Sequence, residues 1–128
     1  MAINNVTVTQ GSNAQVFASG TVPAGKTYGV TNILICNTAA EDQTGANDAR
    51  FRVFVVPNGQ TFNANSNMII NDALLPGAET FILDSEKLML TAGDTVVVEN
   101  TAVNNVTLIA TVSYLEVYAI SKKTINQH

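Results

Sequence analysis

Residues 106–120 read VTLIATVSYLEVYAI, and the fold turns on whether this run is a helix or a strand. From Val106 to Tyr114 the apolar residues Val106, Leu108, Ala110, Val112 and Tyr114 share one parity, with Thr107, Thr111 and Ser113 on the other and Ile109 as the interruption. A period of two belongs to a strand with one face buried. After Tyr114 the phase changes, since Leu115 and Val117 are apolar and Glu116 is polar. That change predicts a bulge or bend near residues 113–115, which would keep one face on the core. A strand this long is expected to cross the centre of the fold.

Shorter runs of strand formers lie at residues 6–9, 14–20, 28–37, 49–56, 67–70, 80–83 and 95–100. Turn chemistry separates them, as where Pro57-Asn58-Gly59 stops the run 49–56. No helical stripe competes. The spacing predicts an all-β, antiparallel two-sheet β-sandwich of jelly-roll-like form. Composition agrees: 15 Asn and 15 Thr stand among 128 residues, both poor helix formers, with Thr favoured in strands and Asn in turns. The expected core includes Val30, Leu34, Val53, Val55, Leu108, Ala110, Val112 and Leu115.

The length suits one compact domain spanning 1–128, with a short N-terminal arm (about 1–19) and a C-terminal tail (about 119–128). Hydrophobic residues make up 46% and charged residues 12%, about half the usual charged share, so Asn and Thr supply the polarity. The net charge of -4 and six scattered basic residues oppose nucleic-acid binding, which needs clustered Lys and Arg. No apolar run is long enough to span a bilayer, and "MAINNVTVTQ" lacks the basic region and apolar core of a signal peptide. Neither nucleic acid nor membrane is an expected partner, and synthesis in a host cytoplasm is expected.

Three stretches share one plan: VPAGKTYGV at 22–30, LPGAETFIL at 75–83 and LTAGDTVVV at 90–98. Each has an aliphatic, then Pro or Thr, two small residues including a Gly, a charged residue, and Thr in sixth place (Thr27, Thr80, Thr95). The Gly supplies a positive φ, and the branched Thr opens a strand. A phosphate cradle would need an upstream glycine and a following helix, and "AGKT" has neither. These are strand-opening turns.

Taken in order, "TVPAGKTYGVTNILICNT", "FRVFVVPNG", "LLPGAETFIL", "LMLTAGDTVVV" and "VTLIATVSYLEV" resemble the small β-sandwich accessory structural proteins of tailed bacteriophage virions. The resemblance spans roughly residues 20–118. It implies a non-catalytic virion component, foremost a capsid decoration or cement protein, with a neck, tail or fibre-associated protein as the alternative. It also implies a symmetric homo-oligomer, with a trimer favoured, bound to other virion proteins such as the major capsid protein. No functional residues transfer with it.

Enzyme chemistry finds no constellation in the sequence. The single Cys36 lies in the apolar run 33–36, where packing explains it, and the one histidine is His128. One Cys and one His cannot supply a zinc site. The pairs Glu41-Asp42 and Asp84-x-Glu86 read as solvated carboxylates. Glu41, Asp42, Asn47 and Asp48 crowd oxygens into one loop, but their spacing does not match a calcium loop. No cofactor and no metal is expected. A glycan-binding module for host attachment is the remaining rival, weakened by the lack of Trp.

The candidate interface residues fall in four places. Asn4, Val6 and Val8 mark the N-terminal arm. Glu41, Asp42 and Asp48 mark the acidic loop 38–48, and Phe62 and Asn65 the Asn-rich loop 58–67. Lys122 and Lys123 mark the tail.

Overall fold

A computed structural model describes residues 1–84 and 88–118. Among them the chain forms nine strands: β1 (Ala2–Val8), β2 (Asn13–Gln15), β3 (Lys26–Asn37), β4 (Ala49–Val56), β5 (Met68–Leu75), β6 (Thr80–Leu83), β7 (Leu88–Thr91), β8 (Thr95–Asn100) and β9 (Leu108–Tyr118). One sheet has the order β1-β9-β3-β6, with β7 beside the first half of β3; the other has the order β2-β8-β4-β5. All pairings are antiparallel. This is the two-sheet antiparallel sandwich that the alternation predicts.

The inward faces of both sheets meet in one core. Val8, Ile33, Ile35, Leu108, Ala110 and Val112 come from the first sheet, and Phe51, Val53, Val96 and Val98 from the second, all essentially enclosed. At one end Phe17, Tyr28 and Tyr114 pack edge to face and tilted, with ring centroids 4.4–5.2 Å apart. Aromatic pairs in such geometry contribute about 0.5–1.5 kcal/mol beyond their burial.

β9 is central, between β1 and β3, and its parity holds through Tyr114. The irregularity expected near residues 113–115 lies at that height but on the neighbouring strand: Val30 pairs with Tyr114 and Asn32 with Ser113, leaving Thr31 as the extra residue of β3. Two expected core residues therefore move. Leu115 is 48% exposed because β9 does not change phase, so it points away from the core. Leu34 is half-buried on the outer face, and the residues flanking it, Ile33 and Ile35, fill the core instead. Val55 packs against the core only partly buried.

The segment read as an arm carries two strands. β1 pairs along its length with β9, from Ala2 opposite Tyr114 to Val8 opposite Leu108, and β2 pairs with β8.

In the three related turns the fourth residue takes the left-handed conformation: Gly25 (φ 80), Ala78 (φ 67) and Gly93 (φ 88). The residue in second place (Pro23, Pro76 or Thr91) offers its carbonyl to the amide three residues on. Pro is thus the residue before the corner, not the corner itself. Gly77 is glycine for another reason, since a Cβ there would lie 2.2 Å from the carbonyl oxygen of Ala40.

Candidate functional site

Three surfaces stand out. At one end of the sandwich β3 finishes at Asn37, whose buried amide donates to the carbonyls of Asn47 (2.8 Å) and Leu75 (3.0 Å) and accepts from the Ala39 amide (3.0 Å). This clamp shapes the loop 38–48. Glu41, Asp42 and Gln43 face Pro76–Glu79 across a shallow hollow of about 340 Å³. Hydrogen bonds from the Thr44 hydroxyl (2.6 Å) and amide (2.8 Å) hold the Asp42 carboxyl below its ordinary range. Asp48 sits deeper in the loop, its carbonyl accepting from Asn104 Nδ2 at 3.4 Å. Among the described residues no group of three His, Cys, Asp or Glu is placed to hold a metal ion.

At the other end of β4 the Asn-rich loop is not an open excursion. It folds back as a flap over the outer face of the second sheet, where Phe54, Val56 and Val97 form a small separate cluster with Met68. Phe62 closes it, its ring 5.0 Å from that of Phe54. Asn67 holds the flap: its Nδ2 donates to the Thr61 carbonyl (3.0 Å), its Oδ1 accepts from the Asn63 amide (2.9 Å), and its own carbonyl accepts from the Val55 amide (2.9 Å). Asn65 is exposed at the tip. Between flap and β2 runs a groove of about 440 Å³, lined by Asn13, Gln15, Gln60, Thr61 and Phe62 among others, none of them charged.

The third surface is the outer face of the first sheet. Ile3, Ile82, Met89, Leu115 and Val117 stand exposed on it. Gly29 lies between Met89 and Leu115, paired with both and covered by the Met89 sulfur, and an apolar hollow of about 190 Å³ lies among these residues, Thr31 and Val117. Cys36 lies half-buried on this face rather than in the core. Asn32 pairs with Ser113 here, and its Oδ1 is shielded from solvent without a hydrogen-bond partner.

The structure distributes the sequence candidates widely. Glu41 and Asp42 come together at the acidic end, while Phe62 and Asn65 share the flap. The β1 candidates turn inward, contrary to their reading as arm contacts. Val8 is fully enclosed, Val6 packs against the core, and Asn4 donates to the Val16 carbonyl at 2.6 Å. On that strand the outward parity belongs to Ile3, Asn5 and Thr7. Lys122 and Lys123 lie outside the described residues. The outer face itself escaped the sequence reading, although a signal for it exists: Ile3, Leu115 and Val117 are apolar residues out of phase with the buried parity of their own strands.

With this geometry in hand, the same fold is found in a chain of the acidic stable capsid structure of Helicobacter pylori bacteriophage KHP30. That chain is similar with a TM-score of 0.51 over 91% of each chain, at 16% sequence identity. No protein family matches the sequence, and no curated protein matches it.

Proposed function

We propose that this chain is a non-catalytic structural protein of a bacteriophage virion, a capsid decoration or cement protein that binds neighbouring capsid subunits without a cofactor. The observation that carries this reading is the sandwich shared, over nearly the whole chain, with a chain of a phage capsid structure. The surfaces support it: a sheet face and a flap rich in Asn, Thr and aliphatics are depleted in charge, as the cores of protein interfaces are. Glu41, Asp42 and Asp48 at one end, and Phe62 and Asn65 at the other, are the proposed contacts with other virion proteins. A neck, tail or fibre-associated station uses the same surfaces with a different neighbour.

The test is to mix the purified protein with capsids stripped of accessory proteins, then measure occupancy and the heat resistance of the particle. Stoichiometric binding that raises the particle's melting temperature is the expected result. Absence of binding sinks the cement role and moves the search to neck and tail components.

Glycan binding for host attachment is the second reading, favoured by the uncharged groove beside Phe62, where amides, a hydroxyl and an aromatic ring converge. Saturable binding on a glycan array, lost in Phe62→Ala and kept in Glu41→Gln, would transfer the assignment to it.

A further inference from the structure

We infer that the outer face of the β1-β9-β3 sheet pairs with the same face of a second copy of the chain across a two-fold axis. Of the ten exposed large hydrophobic residues among the described ones, five (Ile3, Ile82, Met89, Leu115 and Val117) stand on this one face. Burying such residues is favourable wherever a matching surface exists.

Charge selects the partner. Among the described residues of the five strands, Lys26 and Glu116 are the charged ones. Both take the core-facing parity at the end of the sheet, where they bond to each other. The outward positions therefore carry no formal charge, and a partner recognised through charge finds nothing to match. A neutral face in which aliphatics stand among Thr, Ser and Asn matches itself: placed against its own copy it meets no like-charge repulsion and leaves no ion unpaired.

The area suffices. Four strand positions at about 4.8 Å and some eleven residues at about 3.4 Å give a flat face of about 700 Å², before the corrugation of side chains is counted. A stable interface buries about 800 Å² per partner. The relief is also reciprocal, since Met89 and Leu115 rise around the hollow beside Gly29. A two-fold axis lets a side chain of each copy enter the hollow of the other, as isologous contacts require. The trimer that the resemblance implies would join unlike patches head to tail instead. None of this depends on the virion assignment.

Sedimentation equilibrium of the full chain, from about 1 to about 500 μM, tests the pairing. The expected species has twice the 13.5 kDa chain mass. Leu115→Glu and, separately, Met89→Glu should each weaken it by about 100-fold or more, because each buries two like charges across the axis. Ile69→Glu, on β5 of the other sheet, should leave it unchanged. Circular dichroism checks that each variant is folded; should the Glu variants not fold, the milder Leu115→Thr with Val117→Thr reads the same loss. A monomer at all concentrations, a trimer, or a dimer indifferent to these changes overturns the proposal.

Discussion

Asn37 and Asn100 make the same three hydrogen bonds at the ends of strands in opposite sheets. Asn37 donates to the carbonyls of Asn47 and Leu75 and accepts from the amide of Ala39. Asn100 donates to the carbonyls of Val8 and Val106, both at 3.0 Å, and accepts from the amide of Ala102 at 3.0 Å. Each opens the tripeptide Asn-Thr-Ala, and each is almost wholly buried. A carboxamide suits the position because it supplies two donors and an acceptor without charge.

Asn37→Ala and Asn100→Ala should therefore each destabilise the fold by roughly 2–4 kcal/mol, since each removes the partner of two carbonyls and an amide, all of them in buried bonds at Asn100 and partly buried ones at Asn47 and Ala39. Asn→Asp should be no milder, because a carboxylate cannot donate to carbonyls and is costly to bury. Urea unfolding measures both, and a loss below about 0.5 kcal/mol would contradict the clamp.

The turn at 75–80 offers a paired test. Ala78→Gly should stabilise by about 0.5 kcal/mol, because relief of the left-handed strain outweighs the greater freedom of an unfolded glycine. Gly77→Ala, one residue earlier, should destabilise by about 2 kcal/mol or more, since its Cβ would strike the Ala40 carbonyl. Equal effects of the two would refute the division of roles.

Phe62→Ala uncovers Phe54 and loosens the flap. Global stability should fall by about 1 kcal/mol, the size of one aromatic pair. Hydrogen exchange should quicken at the Val55 amide, which donates to Asn67, while the amides of β9 stay protected. Unchanged exchange at Val55 would mean that Phe62 does not hold the flap.

Alkaline pH should act through Tyr114. Burial first, then the neighbouring Tyr28, raise its phenol above the ordinary 10.0. The folded state thus holds this proton more tightly than the unfolded chain does. The associated stability is complete below the ordinary value and is lost as pH rises through the raised one. Unfolding free energy of the wild type should fall more steeply with pH in that window than that of Tyr114→Phe, and identical slopes would exclude the contribution.

Leu108→Ala should cost about 2–5 kcal/mol, because its side chain is fully enclosed at the start of β9. Near-normal stability in a urea titration would contradict the placement of β9 in the core.

Most strands were legible in the sequence because alternation and turn residues act locally. Residues 49–56, 80–83 and 95–100 fall where their patterns placed them. β7 was missed: Leu88-Met89-Leu90-Thr91 is four residues long and lacks a branched run. The phase change after Tyr114 predicts a bulge in β9 only if the core claims every apolar residue. Leu115 and Val117 instead mark a second, outward surface.

The sequence by itself determined the class of fold, since a period of two and a left-handed corner depend on a residue and its near neighbours. It also determined the poverty of charge. Only the tertiary structure decided which asparagines are structural. Of the carbonyls that Asn37 and Asn100 serve, those of Leu75 and Val8 lie on distant segments brought near by the fold. It likewise decided which apolar residues lie outside the core, because facing is fixed by strand register, and register by packing the whole sheet at once.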